Sequence, residues 1–290
     1  MHPLIAELLK SPPVLLDGAW GTQLQARGLP PGACPDEWNL SRPETVREIA
    51  AAYVAAGSRI ILTNTFGANR VRLALHGLSD RATEINRAGA RLSREAAGEK
   101  AKVFGSIGPS GKLLMTGETT PEELAAAFEE QAAALAEGGA DGLVVETMAD
   151  LEEARLAVAA AKKTGLPTVA CMVFDSGKDR DRTMMGLTPE QAGKGLEEAG
   201  ADAVGSNCGQ GPEGFVGICR RLRAAVSAPI WAKPNAGLPR MEGDRAVYDT
   251  TPEEFAARAT DLIEAGASFV GGCCGTTPEF IRAMAKRLAS

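Results

Sequence analysis

Three cysteines carry the chemistry that this sequence can do. Cys273 and Cys274 stand side by side in the run Gly271-Gly272-Cys273-Cys274-Gly275-Thr276-Thr277-Pro278-Glu279, and Cys208 ends another apolar segment about sixty-five residues upstream. Three thiols at the ends of two apolar segments could hold one metal ion. Zinc takes thiolate sulfur readily, and a site with three protein ligands keeps a fourth position open, as a catalytic zinc does and a structural one does not. Such a centre is electron-rich, so it activates water poorly and accommodates a further thiolate well. A free thiol with a pKa of about 8.5 is only a few per cent ionised at neutral pH, and capture as thiolate recovers roughly 2 kcal/mol while leaving the sulfur nucleophilic. The reaction that suits the site is alkylation of sulfur. Cys34, Cys171 and Cys219 have no such neighbours and read as small buried hydrophobes.

The elements that must position these thiols follow from periodicity. Short β-branched runs at Val14–Leu16, Ile60–Thr63, Val103–Ile107, Gly142–Glu146, Thr168–Met172, Ala203–Asn207, Ile230–Lys233 and Phe269–Gly272 read as strands. They alternate with helical stretches at Pro43–Ala56, Ala82–Gly98, Pro121–Gly138, Leu151–Thr164, Pro189–Ala199, Glu213–Val226, Pro252–Ala265 and Pro278–Leu288. Several helices open on a Pro-Glu pair, which suits a first helical turn. Ala56-Gly57, Gly138-Gly139, Ala199-Gly200 and Ala265-Gly266 end helices that feed strands, with glycine expected as a left-handed cap. Eight strand-helix units predict an α/β protein, a single (β/α)8 TIM barrel, as one domain over residues 1–290. The charged stretch Phe174 to Thr188 reads as a long loop after the fifth strand.

Barrel sites gather at the C-terminal ends of the strands. Asp17-Gly18-Ala19 follows the first strand, Glu146-Thr147 ends the fourth, Asn207-Cys208 ends the sixth, and the Cys273-Cys274 pair ends the eighth. Successive strand residues point to opposite faces, so both cysteines can face the axis only if the backbone turns there. Strands six and eight meet across the mouth, where Cys208 can reach the pair. Asp17 and Glu146 could jointly grip an ammonium group, while the N–H groups of Gly18 and Ala19 could take a carboxylate. An amino acid carrying a thiol satisfies all three sets.

A net charge of −6, a pI near 5.2 and scattered basic residues exclude a nucleic-acid or anionic-membrane surface. No run of eighteen apolar residues appears, and the N-terminus lacks the features of a secretory signal, which predicts a cytoplasmic protein with reduced thiols.

The motifs Leu16-Asp17-Gly18-Ala19-Trp20-Gly21-Thr22, Thr63-Asn64-Thr65-Phe66-Gly67-Ala68, Gly105-Ser106-Ile107-Gly108-Pro109, Glu146-Thr147, Asn207-Cys208, Pro234-Asn235-Ala236-Gly237 and Gly271 to Pro278 span nearly the whole chain. Together they resemble the homocysteine S-methyltransferases, and their wording is most similar to the homocysteine-binding module of cobalamin-dependent methionine synthase. The resemblance implies zinc (Zn2+) on Cys208, Cys273 and Cys274 with homocysteine sulfur as the fourth ligand. It implies an amino-group contact from Glu146 and Asp17, a carboxylate contact near Gly18 and Ala19, and Asn207 among the substrate contacts. The methyl donor it implies is methylcobalamin on a cobalamin-carrying partner protein or domain. Alternatives are a small donor such as S-methylmethionine or betaine, a related thiol or selenol acceptor, or a binding module inactive without its partner. Betaine fits less well, because a quaternary ammonium prefers an aromatic cage and the chain has thirteen aromatic residues, with Trp20 and Phe66 among the few near strand ends. A phosphate-binding barrel would explain Gly271-Gly272 but not the adjacent cysteines.

Overall fold

Threonine-proline pairs set the starts of three helices, Pro121–Glu137, Pro189–Glu198 and Pro252–Glu264. Thr120, Thr188 and Thr251 each accept a hydrogen bond from the backbone N–H three residues on, and the side chains of Glu123, Gln191 and Glu254 accept in return from the threonine N–H groups. Proline takes the next position, where its missing N–H is no loss. At the far ends Gly57, Gly139, Gly200 and Gly266 adopt φ between 93° and 106°, the left-handed turn that hands each helix to the following strand. These are the four positions at which the sequence expects such caps.

The computed structural model describes residues 1–242 and 245–289; Gly243, Asp244 and Ser290, which the expected 1–290 domain includes, lie outside the described residues. Eight parallel strands form one sheet: β1 (Val14–Leu15), β2 (Ile60–Leu62), β3 (Lys102–Ile107), β4 (Gly142–Met148), β5 (Thr168–Met172), β6 (Ala203–Asn207), β7 (Ile230–Lys233) and, after an antiparallel hairpin of β8 (Arg240–Glu242) and β9 (Arg245–Val247), β10 (Ala267–Val270). Their order is β1-β10-β7-β6-β5-β4-β3-β2, the circuit of a (β/α)8 barrel. β1 and β2 are the two ends of that order. Their seam is closed by the Arg59 N–H donating to the Leu15 carbonyl at 2.7 Å and by the Leu62 N–H donating to Asp17 Oδ2 at 2.7 Å.

Val14, Leu16, Ile60, Leu62, Phe104, Val144, Val169, Cys171, Ala203, Trp231 and Phe269 fill the barrel axis. Trp231 spans it between Phe104 and Phe269, with ring centroids 6.2 and 5.3 Å away. Ile5 and Leu8, from the short helix Pro3–Leu8, join the same cluster, and the His2 N–H donates to Asp202 just before β6. The helix therefore seals the floor at the N-terminal ends of the strands. Two-residue alternation carries the inward register upward: Ser106 lies two beyond Phe104, Glu146 two beyond Val144 and Lys233 two beyond Trp231.

The last barrel strand starts and stops two residues sooner than the sequence suggests, at Ala267–Val270 in place of Phe269–Gly272. Beyond Val270 the Gly271 N–H still reaches the Ala232 carbonyl at 3.1 Å, but Gly272 turns its N–H to the Asp17 carbonyl at 3.0 Å. A Cβ on Gly271 would lie 2.6 Å from the Leu16 Cβ, so this crossing needs glycine. β4 runs on through Met148, and the segment after β5 is a loop pinned by an isolated bridge between Ser176 and Arg182.

Candidate active site at the barrel mouth

Backbone hydrogen bonds deliver the cysteines. Cys208 follows β6 with φ of 64°, a left-handed conformation uncommon outside glycine. It is held there by its N–H donating to the Lys233 carbonyl at 3.1 Å and its own carbonyl accepting from Gln210 at 2.9 Å. The Cys273 N–H donates to the Pro234 carbonyl at 2.7 Å, and the Cys273 carbonyl accepts from the Thr276 N–H at 3.1 Å and hydroxyl at 2.7 Å. Cys274 and Gly275 form the middle of that tight turn, with Gly275 at φ of 81°. The expected turn thus brings both thiols inward. All three Sγ atoms lie within 4.8 Å of one another, Cys208 and Cys274 at 3.9 Å.

The sulfurs fit zinc. Tetrahedral bonds of about 2.3 Å place thiolate sulfurs about 3.8 Å apart, close to the Cys208–Cys274 separation. Without metal the three share charge unevenly. Hydrogen bonds from Cys273 and Cys274 hold Cys208 down to about 3. The bond to that thiolate pushes Cys273 up to about 12 and raises Cys274 still further.

Beneath the sulfurs lies an acid with fixed partners. Glu146 is 6% exposed; Ser106 Oγ donates to its Oε1 and Asn207 Nδ2 to its Oε2 at 3.1 Å. Burial raises the Glu146 carboxyl to about 7, with Lys233 acting in the opposite direction. Asn207 Nδ2 also reaches Thr147 Oγ1 at 2.6 Å and approaches Cys273 Sγ at 3.9 Å, while its Oδ1 accepts from the Thr147 N–H at 2.7 Å. Thr147 has φ of 59°, so the residues flanking this network on β4 and β6, Thr147 and Cys208, are both left-handed.

Asp17 reaches the mouth but is already occupied. Its Oδ1 pairs with Lys233 Nζ at 2.5 Å, and its Oδ2 accepts from the Trp20 indole at 3.0 Å and the Leu62 N–H at 2.7 Å. Both side chains are buried, Lys233 at 2% exposure and Asp17 at 0%. Burial opposes charge on Lys233, yet Asp17 and Glu146 together raise its pKa. The expected carboxylate donors differ from one another: the Ala19 N–H donates to the Thr276 carbonyl at 3.3 Å, whereas the Gly18 N–H has no acceptor among the described residues. Gly18 also makes room for a neighbour, since a Cβ there would come within 2.8 Å of Thr276 Oγ1 and 2.9 Å of the Tyr53 ring.

The hairpin after β7 leads to Tyr248, whose ring rests on Gly275 so closely that a Cβ there would lie 2.3 Å from Tyr248 Cγ. Asn235 Oδ1 is buried without a hydrogen-bond partner among the described residues. A cleft of about 720 Å³ opens beside the mouth between the loops after β6 and β7, lined by Gln210, Gly237, Leu238, Asp249 and Arg258 among others.

The sequence model described as Homocysteine S-methyltransferase matches residues 14–288. The chain belongs to the homocysteine S-methyltransferase family. Methionine synthases of Mycobacterium tuberculosis and Mycobacterium leprae are each 34% identical, over 295 and 291 residues that cover 94% of this chain. The chain spans 24% of the length of either relative. The solved homocysteine methyltransferase MmuM of Escherichia coli superposes with a TM-score of 0.81 in its oxidised form and 0.80 in its metallated form, at 25% and 26% identity, over 99% of this chain and 100% of that one.

In this homocysteine S-methyltransferase family member the structure gathers Cys208, Cys273, Cys274, Glu146, Asn207, Asp17, Gly18 and Ala19 at one mouth. Sequence reasoning passed over Ser106, Lys233 and Tyr248. A lone lysine ending the apolar run Ile230-Trp231-Ala232 was the available signal, since its inward register follows from that of Trp231. No helix among the described residues is long and apolar enough to cross a membrane.

Proposed function

We propose that this chain, as one barrel domain over residues 1–290, is a zinc-dependent methyltransferase of the cytoplasm that converts homocysteine to methionine, with methylcobalamin on a partner protein or domain as donor. The convergence of the three sulfurs to within 4.8 Å above the Glu146–Asn207 pair carries this reading. Zinc on Cys208, Cys273 and Cys274 would bind the acceptor sulfur as thiolate and keep it nucleophilic at neutral pH.

The chain's own groups define the rest. Ionised Glu146 accepts from the acceptor ammonium, and Ser106 and Asn207 fix the orientation of its carboxylate. The Gly18 N–H is free to donate to the acceptor carboxylate. Asn207 couples the acid to the metal ligands through its approach to Cys273. The thiol proton leaves as the acceptor binds; its sulfur then attacks the methyl carbon, the C–S bond forming as the bond from methyl to donor breaks. No base is needed at that step.

A protein-borne donor is supported by the rim of the mouth. Apart from Met1, the large hydrophobics exposed among the described residues all lie in the segments that follow barrel strands: Leu75 after β2, Met115 after β3, Met184 and Met185 after β5, and Leu238 and, within the β8 hairpin strand, Met241 after β7. Adaptable methionines around an entrance suit contact with another protein surface. The end-to-end match with MmuM favours a second reading, in which the barrel acts alone on a small donor such as S-methylmethionine. Zinc-edge X-ray absorption with and without homocysteine tests the acceptor, and an unchanged sulfur count on addition overturns the reading. Turnover with methylcobalamin and with S-methylmethionine, assayed side by side, separates the donors.

A further inference from the structure

Lys233 is a buried cation with more donors than partners. Its ammonium carries three N–H groups, and the acceptor found for it among the described residues is Asp17 Oδ1 at 2.5 Å. Its side chain is 2% exposed, so bulk water does not complete the set. Asp17 is the opposite case, with one oxygen taken by Lys233 and the other by Trp20 and Leu62. An incoming ammonium at Asp17 would meet a carboxylate that already holds three donors, with a like charge beside it. Glu146 is better placed for that ammonium, and an incoming carboxylate would find in Lys233 a cation at close range.

The register puts the two recognition groups side by side. Lys233 pairs across the β6–β7 ladder with Asn207, and Asn207 bonds Glu146 and lies 3.9 Å from Cys273 Sγ. The Gly18 N–H, also without an acceptor among the described residues, follows Asp17 directly. We propose that Lys233 is a specificity-determining residue that reads the acceptor carboxylate, so that Lys233 and Glu146 together recognise the zwitterionic head of an amino-acid thiol. This rests on the reading above that the acceptor is such a thiol. A purely structural lysine would neutralise Asp17 and ignore the acceptor.

Cobalt-substituted protein reports thiol binding through its sulfur-to-metal absorption. The probes are homocysteine, 3-aminopropane-1-thiol, which lacks the carboxylate, and 4-sulfanylbutanoate, which lacks the amine. Wild type should favour homocysteine over 3-aminopropane-1-thiol by about ten- to a hundredfold, the size of a charge-assisted contact. Lys233→Met should erase most of that preference and keep the preference over 4-sulfanylbutanoate. Because Lys233→Met strands a buried carboxylate, the double variant Asp17→Asn/Lys233→Met is measured with it. In wild type, the Lys233 side-chain nitrogen resonance should shift with homocysteine and not with 3-aminopropane-1-thiol, a readout independent of variant folding. A preference that survives in a cobalt-binding variant, or a resonance that does not move, overturns the role of Lys233 alone. Absence of any thiol response in wild type overturns the acceptor reading along with it.

Discussion

Asn207 Nδ2 donates to Glu146 Oε2 at 3.1 Å, tying the acid at the end of β4 to the residue just before Cys208. Under the proposed function, displacing either group would move both the head-group contact and a metal ligand. Asn207→Ala should therefore weaken homocysteine binding by at least about tenfold and metal retention by a similar factor, as loss of a group that orients ligands does. Calorimetric titration of each ligand checks it; a variant that loses affinity for homocysteine alone would uncouple the two.

Glu146 gives a pH test whose sign is fixed by its burial. Its carboxyl is raised from 4.5 to about 7 in the fold. Its contribution to stability is complete below the unfolded value and is lost as pH rises through about 7 in metal-free, acceptor-free protein. Glu146→Gln should keep the network, with its carbonyl facing Asn207 and its NH2 facing the Ser106 hydroxyl. The variant should gain on wild type as pH rises, levelling at about 3 kcal/mol in denaturant titrations above neutrality. Homocysteine affinity should show the reverse, with the advantage of wild type growing as Glu146 ionises.

Replacement of Cys208, Cys273 or Cys274 by serine should remove the roughly one zinc per chain expected from a three-thiolate site, together with homocysteine binding. Metal analysis of the purified variants checks it, and full zinc content in all three defeats the assignment.

Cysteine alkylation should sort by environment in metal-free protein. Cys208 is held down to about 3 by its sulfur neighbours and is partly exposed. Burial pushes Cys219 up to about 12 and raises Cys171 as well. Iodoacetamide near neutral pH should modify Cys208 first and leave Cys171 and Cys219 intact until denaturant is added, as read by peptide mass spectrometry.

Two glycines with similar backbones should respond differently to alanine. Gly200 has φ of 93° with open space where a side chain would project, whereas a Cβ on Gly275, at φ of 81°, would collide with the Tyr248 ring. Gly200→Ala should lose about 1–2 kcal/mol from backbone strain alone. Gly275→Ala should lose more and also weaken zinc binding, because the same turn carries Cys274. Equal losses and equal zinc content would deny the ring any role.

The barrel was legible because its signals are local. Each strand is a short apolar run, several helices open on a threonine-proline cap, and Gly57, Gly139, Gly200 and Gly266 mark the handovers. The cysteines were legible because strand ends in a barrel converge on one mouth. Lys233 was hidden by its own strand: three apolar neighbours made Ile230–Lys233 read as core, and nothing local reveals that Asp17, more than two hundred residues away, stands opposite. The partners of Asp17, namely Trp20, Leu62 and Lys233, were hidden for the same reason, since closure of the barrel assembles them. Ser106 and Tyr248 depend on register and on a hairpin excursion, which composition does not encode.

The helix Pro3–Leu8, with Ile5 and Leu8 in the axial cluster, leaves the barrel with a closed bottom. Whatever reaches the sulfurs arrives from above and departs the same way. Where two reactants share a single doorway and one of them sits deeper, they cannot trade places independently: the deeper one enters first and leaves last. Under the proposed function, floor packing far from the chemistry would then set the sequence of arrivals, and the kinetics of such a barrel would be ordered, with acceptor leading and spent donor withdrawing before product.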